Sequence, residues 1–109
     1  MDKMIIYQVF PRWFGNLKSP LVKNGSVREN GVGKFSAFSP TALAKIKELG
    51  TTHIWYTGVI EHATQTDYSA YQIRKDHPDV VKGKAGSPYA IKDYYDIDPD
   101  LAEKVHNRI

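Results

Sequence analysis

The chain has 109 residues, which is enough for one ordinary domain. Its composition is 41% hydrophobic, 12% aromatic and 25% charged, which is typical of a folded globular protein and argues against a disordered or membrane-embedded chain. The formal charge of +3 comes from Lys and Arg side chains scattered among carboxylates, so no nucleic-acid partner is predicted.

Cysteine is absent, which excludes disulfide frameworks and thiolate metal sites and leaves the redox compartment open. Residues 1–7 contain no apolar segment long enough for a signal peptide or a membrane span. The sequence therefore predicts a cytoplasmic protein with no membrane partner.

The first predicted element is a strand over residues 4–10. This run is nearly continuous in β-branched and aromatic side chains and stops at Pro11, as expected for a strand buried on both faces. Residues 12–34 are rich in Gly and Asn and predict a long irregular connection, of the kind that is usually functional or disordered.

A helix is predicted over residues 40–49. Ser39 can accept a hydrogen bond from a free N–H of the first turn, and the fixed φ of Pro40 suits the first helical position. The apolar side chains recur at helical spacing, and Gly50 can adopt the left-handed conformation that ends a helix.

A second buried strand is predicted over residues 53–60, which are β-rich and lack polar alternation. Strand, helix and strand in this order predict a right-handed crossover with two parallel strands. Residues 61–88 are expected to form an extended loop and residues 93–97 a short extended piece. Asp98-Pro99-Asp100 is interpreted as a turn that leads to a further helix, expected to start near Asn107.

Two strands and one complete helix do not close a sheet, so each strand would keep unpaired backbone groups along one edge. We therefore expect the chain to belong to something larger, or to associate with itself through open sheet edges.

Three segments occur in the order found at the start of the α-amylase family, glycoside hydrolase family 13. They are IYQVFPR at residues 6–12, LGTTHIWYT at 49–57 and GSPYAIKDYY at 86–95. The chain resembles that family over nearly its whole length. One departure is Gly58, because the family usually has proline after the threonine that ends its second strand.

The resemblance implies an α/β fold, namely the incomplete N-terminal portion of a TIM (β/α)8 barrel with about two parallel strands, one full helix and long loops. Residues 1–109 would then form an N-terminal fragment of the catalytic barrel domain, with residues 86–98 as a substrate-loop segment. Its partners would be an α-glucan or maltooligosaccharide substrate and the remainder of its own barrel.

The resemblance also implies retaining cleavage of α-glucosidic bonds, in which one carboxylate attacks the anomeric carbon and a second carboxyl group protonates the leaving oxygen. In the family these groups follow later strands. We therefore expect the 109-residue chain to be inactive alone.

Two residues are carried over from the family as substrate-binding candidates. Tyr89 matches a tyrosine that stacks on a sugar ring where cleavage occurs, and the alternative is a loop tyrosine that packs on the rim of the domain. Asp93 matches an aspartate expected to organise the site through hydrogen bonds, and the alternative is a solvated or capping carboxylate.

Other candidates follow the predicted strands, where barrel enzymes keep their chemistry. Arg12 and Trp13 follow the first strand, and Glu61 and His62 follow the second. Glu61 with Asp93 or Asp96 could form a general acid and base pair, although this pairing is not favoured.

No cofactor or metal site is predicted. The histidines at 53, 62, 77 and 106 lack metal-ligand spacing. The stretch from Gly31 to Lys34 lacks the earlier glycine and the following hydroxyl residue of a phosphate loop.

Two further interpretations remain open. One is a small non-catalytic carbohydrate-binding domain with Trp13, Tyr68, Tyr71 and Tyr89 as an exposed stacking platform. The other is a structural or regulatory α/β protein unrelated to sugars.

Overall fold

The structure, a computed structural model, describes residues 2–107. Within this range the chain forms a small α/β domain whose helices and strands are β1 (Ile6–Val9), α1 (Val27–Asn30), α2 (Pro40–Glu48), β2 (His53–Tyr56), β3 (Ile60–His62) and β4 (Ile91–Ile97). Short 3-10 turns occupy Phe35–Ala37, Ser69–Tyr71, Pro78–Val80, Pro99–Leu101 and Val105–Asn107. None of the helices in the described range is both long and apolar enough to cross a membrane.

The first sheet consists of β1 and β2, which pair in parallel with Ile6 opposite His53. The backbone N–H of Thr57 continues this pairing by donating to the carbonyl of Val9 at 2.9 Å. The α2 helix lies between the two strands in sequence, as parallel pairing requires a long connection. This sheet brings the carboxyl ends of β1 and β2 to the same side of the domain.

The ends of α2 follow from its sequence. The Ser39 side chain accepts a hydrogen bond from the N–H of Ala42 at 3.2 Å, and Pro40 occupies the first turn, so the predicted N-cap is confirmed. Gly50 has φ +86°, the left-handed conformation predicted to stop the helix. The one residue of α2 that is buried is Ile46.

The prediction that the chain is a portion of a TIM barrel is wrong. The second sheet pairs β3 with β4 in antiparallel orientation, with Ile60 opposite Ile97 and His62 opposite Ile91. A TIM barrel consists of parallel strands joined by helices, so this antiparallel pair does not fit a portion of one. Residues 61–88 are also more ordered than an extended loop, since they contain β3 residues and two 3-10 turns.

The single strand predicted over residues 53–60 is interrupted at Gly58. Gly58 has φ +78°, which ends β2 at Tyr56 and lets β3 begin at Ile60 in the other sheet. A Cβ atom at this position would lie 2.7 Å from Phe10 and 2.8 Å from Pro88. Proline, whose φ is fixed near −65°, cannot adopt this conformation, so the departure from the family pattern has a structural reason here.

The deepest burial lies around the second sheet. The largest side chains that are fully buried are Leu101, His62, Asp98, Asp100, Pro11 and Pro99. By contrast, Ile6 in β1 is 53% exposed and Trp55 in β2 is 57% exposed. The expectation that the first two strands are buried on both faces is therefore wrong. The helix expected to start near Asn107 lies largely outside the described residues.

Candidate functional site

A cleft of about 660 Å³, which we call the Tyr89 cleft, opens where β1 and β2 end and where residues 82–89 pass in front of them. This volume is in the range of small-molecule sites. The side chains that line the cleft come from four separate stretches of the chain: Gln8, Val9, Phe10, Arg12, Trp13, Asn24, Thr57, Lys82, Gly86, Ser87, Pro88 and Tyr89.

Two exposed aromatic side chains border this cleft. Tyr89 is 78% exposed and Trp13 is 68% exposed, so both rings are accessible to a ligand. The ring of Phe10 meets that of Trp13 edge to face, with 5.1 Å between centroids and 71° between planes. The structure thus brings together Tyr89 and Trp13, which were singled out from the sequence for different reasons.

Arg12 forms the inner wall of the cleft. Its Nη1 donates to the carbonyl of Gly86 at 3.1 Å, and its Nη2 donates to the carbonyl of Ala85 at 2.7 Å. The same Nη2 lies 3.1 Å from Nε2 of His62. The guanidinium therefore joins the end of β1 to the segment that carries Tyr89 and to the end of β3.

Gly86 allows residues 85–89, which we call the Tyr89 segment, to pass close to β3. Its φ is +78°, and a Cβ atom on it would lie 1.9 Å from the carbonyl oxygen of Ala63. Both the conformation and the space therefore require glycine at this position.

Behind Arg12 lies a buried cluster of polar side chains, which we call the His62 cluster: His62, Tyr68, Asp98 and Asp100. His62 pairs through Nε2 with Oδ2 of Asp98, and both side chains are almost fully buried. Oδ1 of Asp98 accepts a hydrogen bond from the backbone N–H of Asp100 at 3.2 Å. Tyr68 donates its hydroxyl to Oδ1 of Asp100, so the cluster is continuous.

The cluster changes the proton affinity of its members. Burial alone would lower the pKa of His62, but the hydrogen bond to Asp98 and the charge of Asp98 outweigh it and raise that pKa above 6.5. Burial, followed by the negative charge of Asp98, raises the pKa of Asp100. Burial and the hydrogen bond to Asp100 likewise raise the pKa of Tyr68.

His62, Asp98 and Asp100 also form a group of possible ligands for a metal ion. One donor atom from each lies within 4.8 Å of the others, and Oδ2 of Asp100 is buried without a hydrogen-bond partner. Imidazole and carboxylate ligands suit several divalent ions. However, the positive guanidinium of Arg12 lies 3.1 Å from Nε2 of His62, the ring nitrogen that also faces Asp98 and would have to bind the ion. We therefore assign these residues to an ion-pair network, and the absence of a metal site stays a prediction.

Asp93 does not line the Tyr89 cleft. It lies opposite Glu61 in the β3–β4 pair, and its Oδ1 accepts a hydrogen bond from the N–H of Tyr95 at 2.9 Å. A different cavity, of about 420 Å³, which we call the second cavity, is bordered by Glu61, Asp93 and Asp96 together with the cationic side chains Arg74 and Lys92. The three carboxylates named as a possible acid and base set are thus brought to one cavity, separate from Tyr89.

The residues that sequence reasoning missed are Asp98 and Asp100, and Tyr68 was named only for an exposed stacking platform and not for its hydrogen bond to Asp100. Asp98-Pro99-Asp100 was interpreted as a turn, and Asp98 does cap the 3-10 turn Pro99–Leu101. One signal was available, because the two aspartates are followed directly by the apolar pair Leu101-Ala102, which is typical of a segment that returns to the core.

Comparison of the chain with protein-family models, with curated proteins and with solved structures finds no match.

Proposed function

We propose that the chain forms an α-glucan-binding part of a retaining glycoside hydrolase of the α-amylase type, with the sugar bound in the Tyr89 cleft. The observation that carries this proposal is the position of Tyr89. The residue that the family resemblance assigns to sugar stacking is highly exposed and borders a cleft of ligand size.

The chemistry of the cleft suits a hexose. The apolar C–H face of a glucose ring packs against an aromatic side chain, and Tyr89 and Trp13 offer two such faces. Ring hydroxyl groups need donors and acceptors, which Gln8, Asn24 and Ser87 provide at the same cleft.

The charge of the cleft supports binding rather than catalysis by this chain alone. Retaining glycosidases need two carboxyl groups about 5–5.5 Å apart across the scissile bond. None of the described residues that line the cleft is an Asp or a Glu. Under this proposal, the catalytic carboxylates are contributed from outside the described residues.

Binding is tested by titration calorimetry of the full 109-residue chain with maltoheptaose. We expect binding in the micromolar to low millimolar range, weakened up to about tenfold in Tyr89→Ala, because a lost aromatic stacking contact costs up to about 1.4 kcal/mol. Tyr89→Phe keeps the ring and should retain most of the affinity. Tyr95→Ala is the matched control, because Tyr95 is 96% exposed and does not line the cleft. Equal loss in Tyr95→Ala and Tyr89→Ala would contradict the proposal, as would no binding.

Catalytic independence is tested by incubating the chain with starch, maltooligosaccharides or an aryl α-glucoside. We expect no release of reducing sugar. Release by the purified chain would mean that its own carboxylates catalyse hydrolysis, and it would direct attention to the cavity of Glu61, Asp93 and Asp96.

The alternative, a non-catalytic carbohydrate-binding domain with a four-residue aromatic platform, makes a different prediction. Tyr71 is exposed but borders the second cavity, and the Tyr68 hydroxyl is directed to the buried Asp100. A platform that includes Tyr71 would lose affinity in Tyr71→Ala, whereas binding in the Tyr89 cleft would not.

A further inference from the structure

Arg12 connects the Tyr89 segment, residues 85–89, to the interior of the domain. Its two guanidinium nitrogens donate to two successive carbonyl groups, of Ala85 and Gly86, which lie 73 and 74 residues away in sequence. These two carbonyl groups precede Tyr89 by only a few residues, so their position restricts where the backbone of Tyr89 can lie.

The segment has few other long-range anchors. Within the described chain, its remaining hydrogen bonds are local: the N–H of Gly86 donates to Gly83, the N–H of Tyr89 donates to Oγ of Ser87 at 3.3 Å, and the carbonyl of Ser87 accepts from the N–H of Ala90. Hydrogen bonds to distant residues occur just outside it, where Lys84 accepts from Gln65 and Ala90 accepts from Ala63. Between those two points, the hydrogen bonds of Arg12 and the close approach of Gly86 to the carbonyl oxygen of Ala63 fix the path of the backbone.

Arg12 is itself held from behind. Nε2 of His62 lies 3.1 Å from its Nη2, and the carboxylate of Asp98 in turn contacts that imidazole nitrogen. The pair of His62 with Asp98 is almost fully buried, so the imidazole limits how far the guanidinium can move towards the interior. A lysine at this position would keep the charge but would lose the planar fork that reaches two carbonyls at once.

We propose that Arg12 is a positioning residue for the glucan site: by clamping the carbonyls of Ala85 and Gly86, it holds the Tyr89 ring at the cleft. This inference rests on the proposed function for its consequence in binding, but the clamp itself exists without a ligand. The two parts are therefore tested by separate measurements.

The clamp is tested by amide hydrogen exchange in the full chain, without sugar, comparing the native protein with Arg12→Lys. We expect the amides of Gly86, Tyr89 and Ala90 to exchange at least about tenfold faster in the variant, because the ammonium group of lysine cannot hold both carbonyls at once. The amides of α2 should keep their rates. Arg74→Lys is the matched control, since Arg74 borders the second cavity, and it should leave the Tyr89 segment unchanged.

The consequence for binding is tested by a double-mutant cycle with maltoheptaose. A positioning role predicts that Arg12→Lys weakens binding about tenfold when Tyr89 is present and less than about twofold in the Tyr89→Ala background. A residue that only supports the fold would weaken both backgrounds equally.

Each outcome decides between the two proposals. If the native chain binds no maltoheptaose, the proposed function fails, and the exchange rates still test the clamp. If the native chain binds but Arg12→Lys leaves the exchange rates unchanged, or leaves the affinity unchanged, the positioning role is overturned and the proposed function stands. If Arg12→Lys does not fold, Arg12→Gln is measured in the same way. If neither variant folds, Arg12 supports the whole domain rather than the segment, which overturns the inference.

Discussion

The two sheets of this domain differ in the relation between polarity and burial. The parallel sheet is built from apolar strands, yet about half of the surface of Ile6 and of Trp55 is exposed. The antiparallel sheet has several charged side chains in its strands, yet the deepest burial in the described chain lies in it and directly after it, at His62, Asp98 and Leu101.

This difference shows that burial depends on neighbours and not on the apolar character of a strand alone. A two-stranded sheet covered on one side leaves apolar side chains in contact with solvent. Charged side chains can be buried when each has an opposite charge and hydrogen bonds, as in the pair of His62 with Asp98 beside Arg12. We call the antiparallel sheet with the His62 cluster the polar half of the domain and the parallel sheet the apolar half. The stability of the domain should therefore depend more on the polar half than on the apolar half.

The largest expected effect comes from Asp98→Ala. The substitution leaves the buried imidazole of His62 without its carboxylate partner and removes the cap of the turn Pro99–Leu101. We expect the free energy of unfolding to fall by about 3–5 kcal/mol, the usual result of breaking a buried ion pair from one side. Urea denaturation followed by circular dichroism measures this loss.

The matched control for Asp98 is Asp67→Ala, because Asp67 forms an ion pair with Lys75 in which both side chains are more than half exposed. Exposed pairs contribute little, so its urea midpoint should stay close to that of the native chain. Similar losses in the two variants would mean that burial of the His62 cluster has no energetic consequence.

A smaller effect is expected from truncation of apolar side chains, and it compares the two sheets directly. Leu101→Ala removes a side chain that is 1% exposed and should lower the free energy of unfolding by about 2–4 kcal/mol. Ile6→Ala, in the parallel sheet, should lower it by no more than about 1 kcal/mol, because half of that side chain is already in water. Urea denaturation measures both. A larger loss in Ile6→Ala would reverse the comparison.

The sequence was sufficient where local signals decide the structure. Ser39, Pro40 and Gly50 determine the ends of α2 through capping and a left-handed turn, and neighbouring residues supply all of that chemistry. The apolar run of residues 53–60 was misleading because Gly58 divides it between two sheets. The need for glycine there depends on Phe10 and Pro88, which are distant in sequence.

The candidate site was predicted in part for the same reason. Tyr89 and Trp13 were identified because each is an aromatic residue near a predicted strand end or in a recognised segment. The His62 cluster was not identified because Tyr68 and Asp98 are polar residues in stretches that resemble loops. The irregular antiparallel pairing of β3 with β4 brings His62 close to Asp98, and no local pattern predicts that pairing.

The smallest expected effect is a dependence of stability on pH that originates in the polar half. The pKa of His62 is raised in the folded state, so folding binds a proton there more tightly than the unfolded chain does. This contribution is fully present below pH 6.5, the value for an unperturbed histidine, and it is lost as the pH rises through the folded pKa. The raised pKa of Asp100 acts in the same direction, beginning above 3.8.

We therefore expect a lower urea midpoint at pH 9 than at pH 6. His62→Gln should show a smaller difference between these two pH values than the native chain, because the imidazole that faces Asp98 and Arg12 no longer titrates. His77→Gln is the matched control, since His77 is 71% exposed and should leave the difference unchanged. A urea midpoint that is higher at pH 9 than at pH 6 would contradict this prediction. An equal pH difference in His62→Gln and in the native chain would show that a group other than His62 causes the pH dependence.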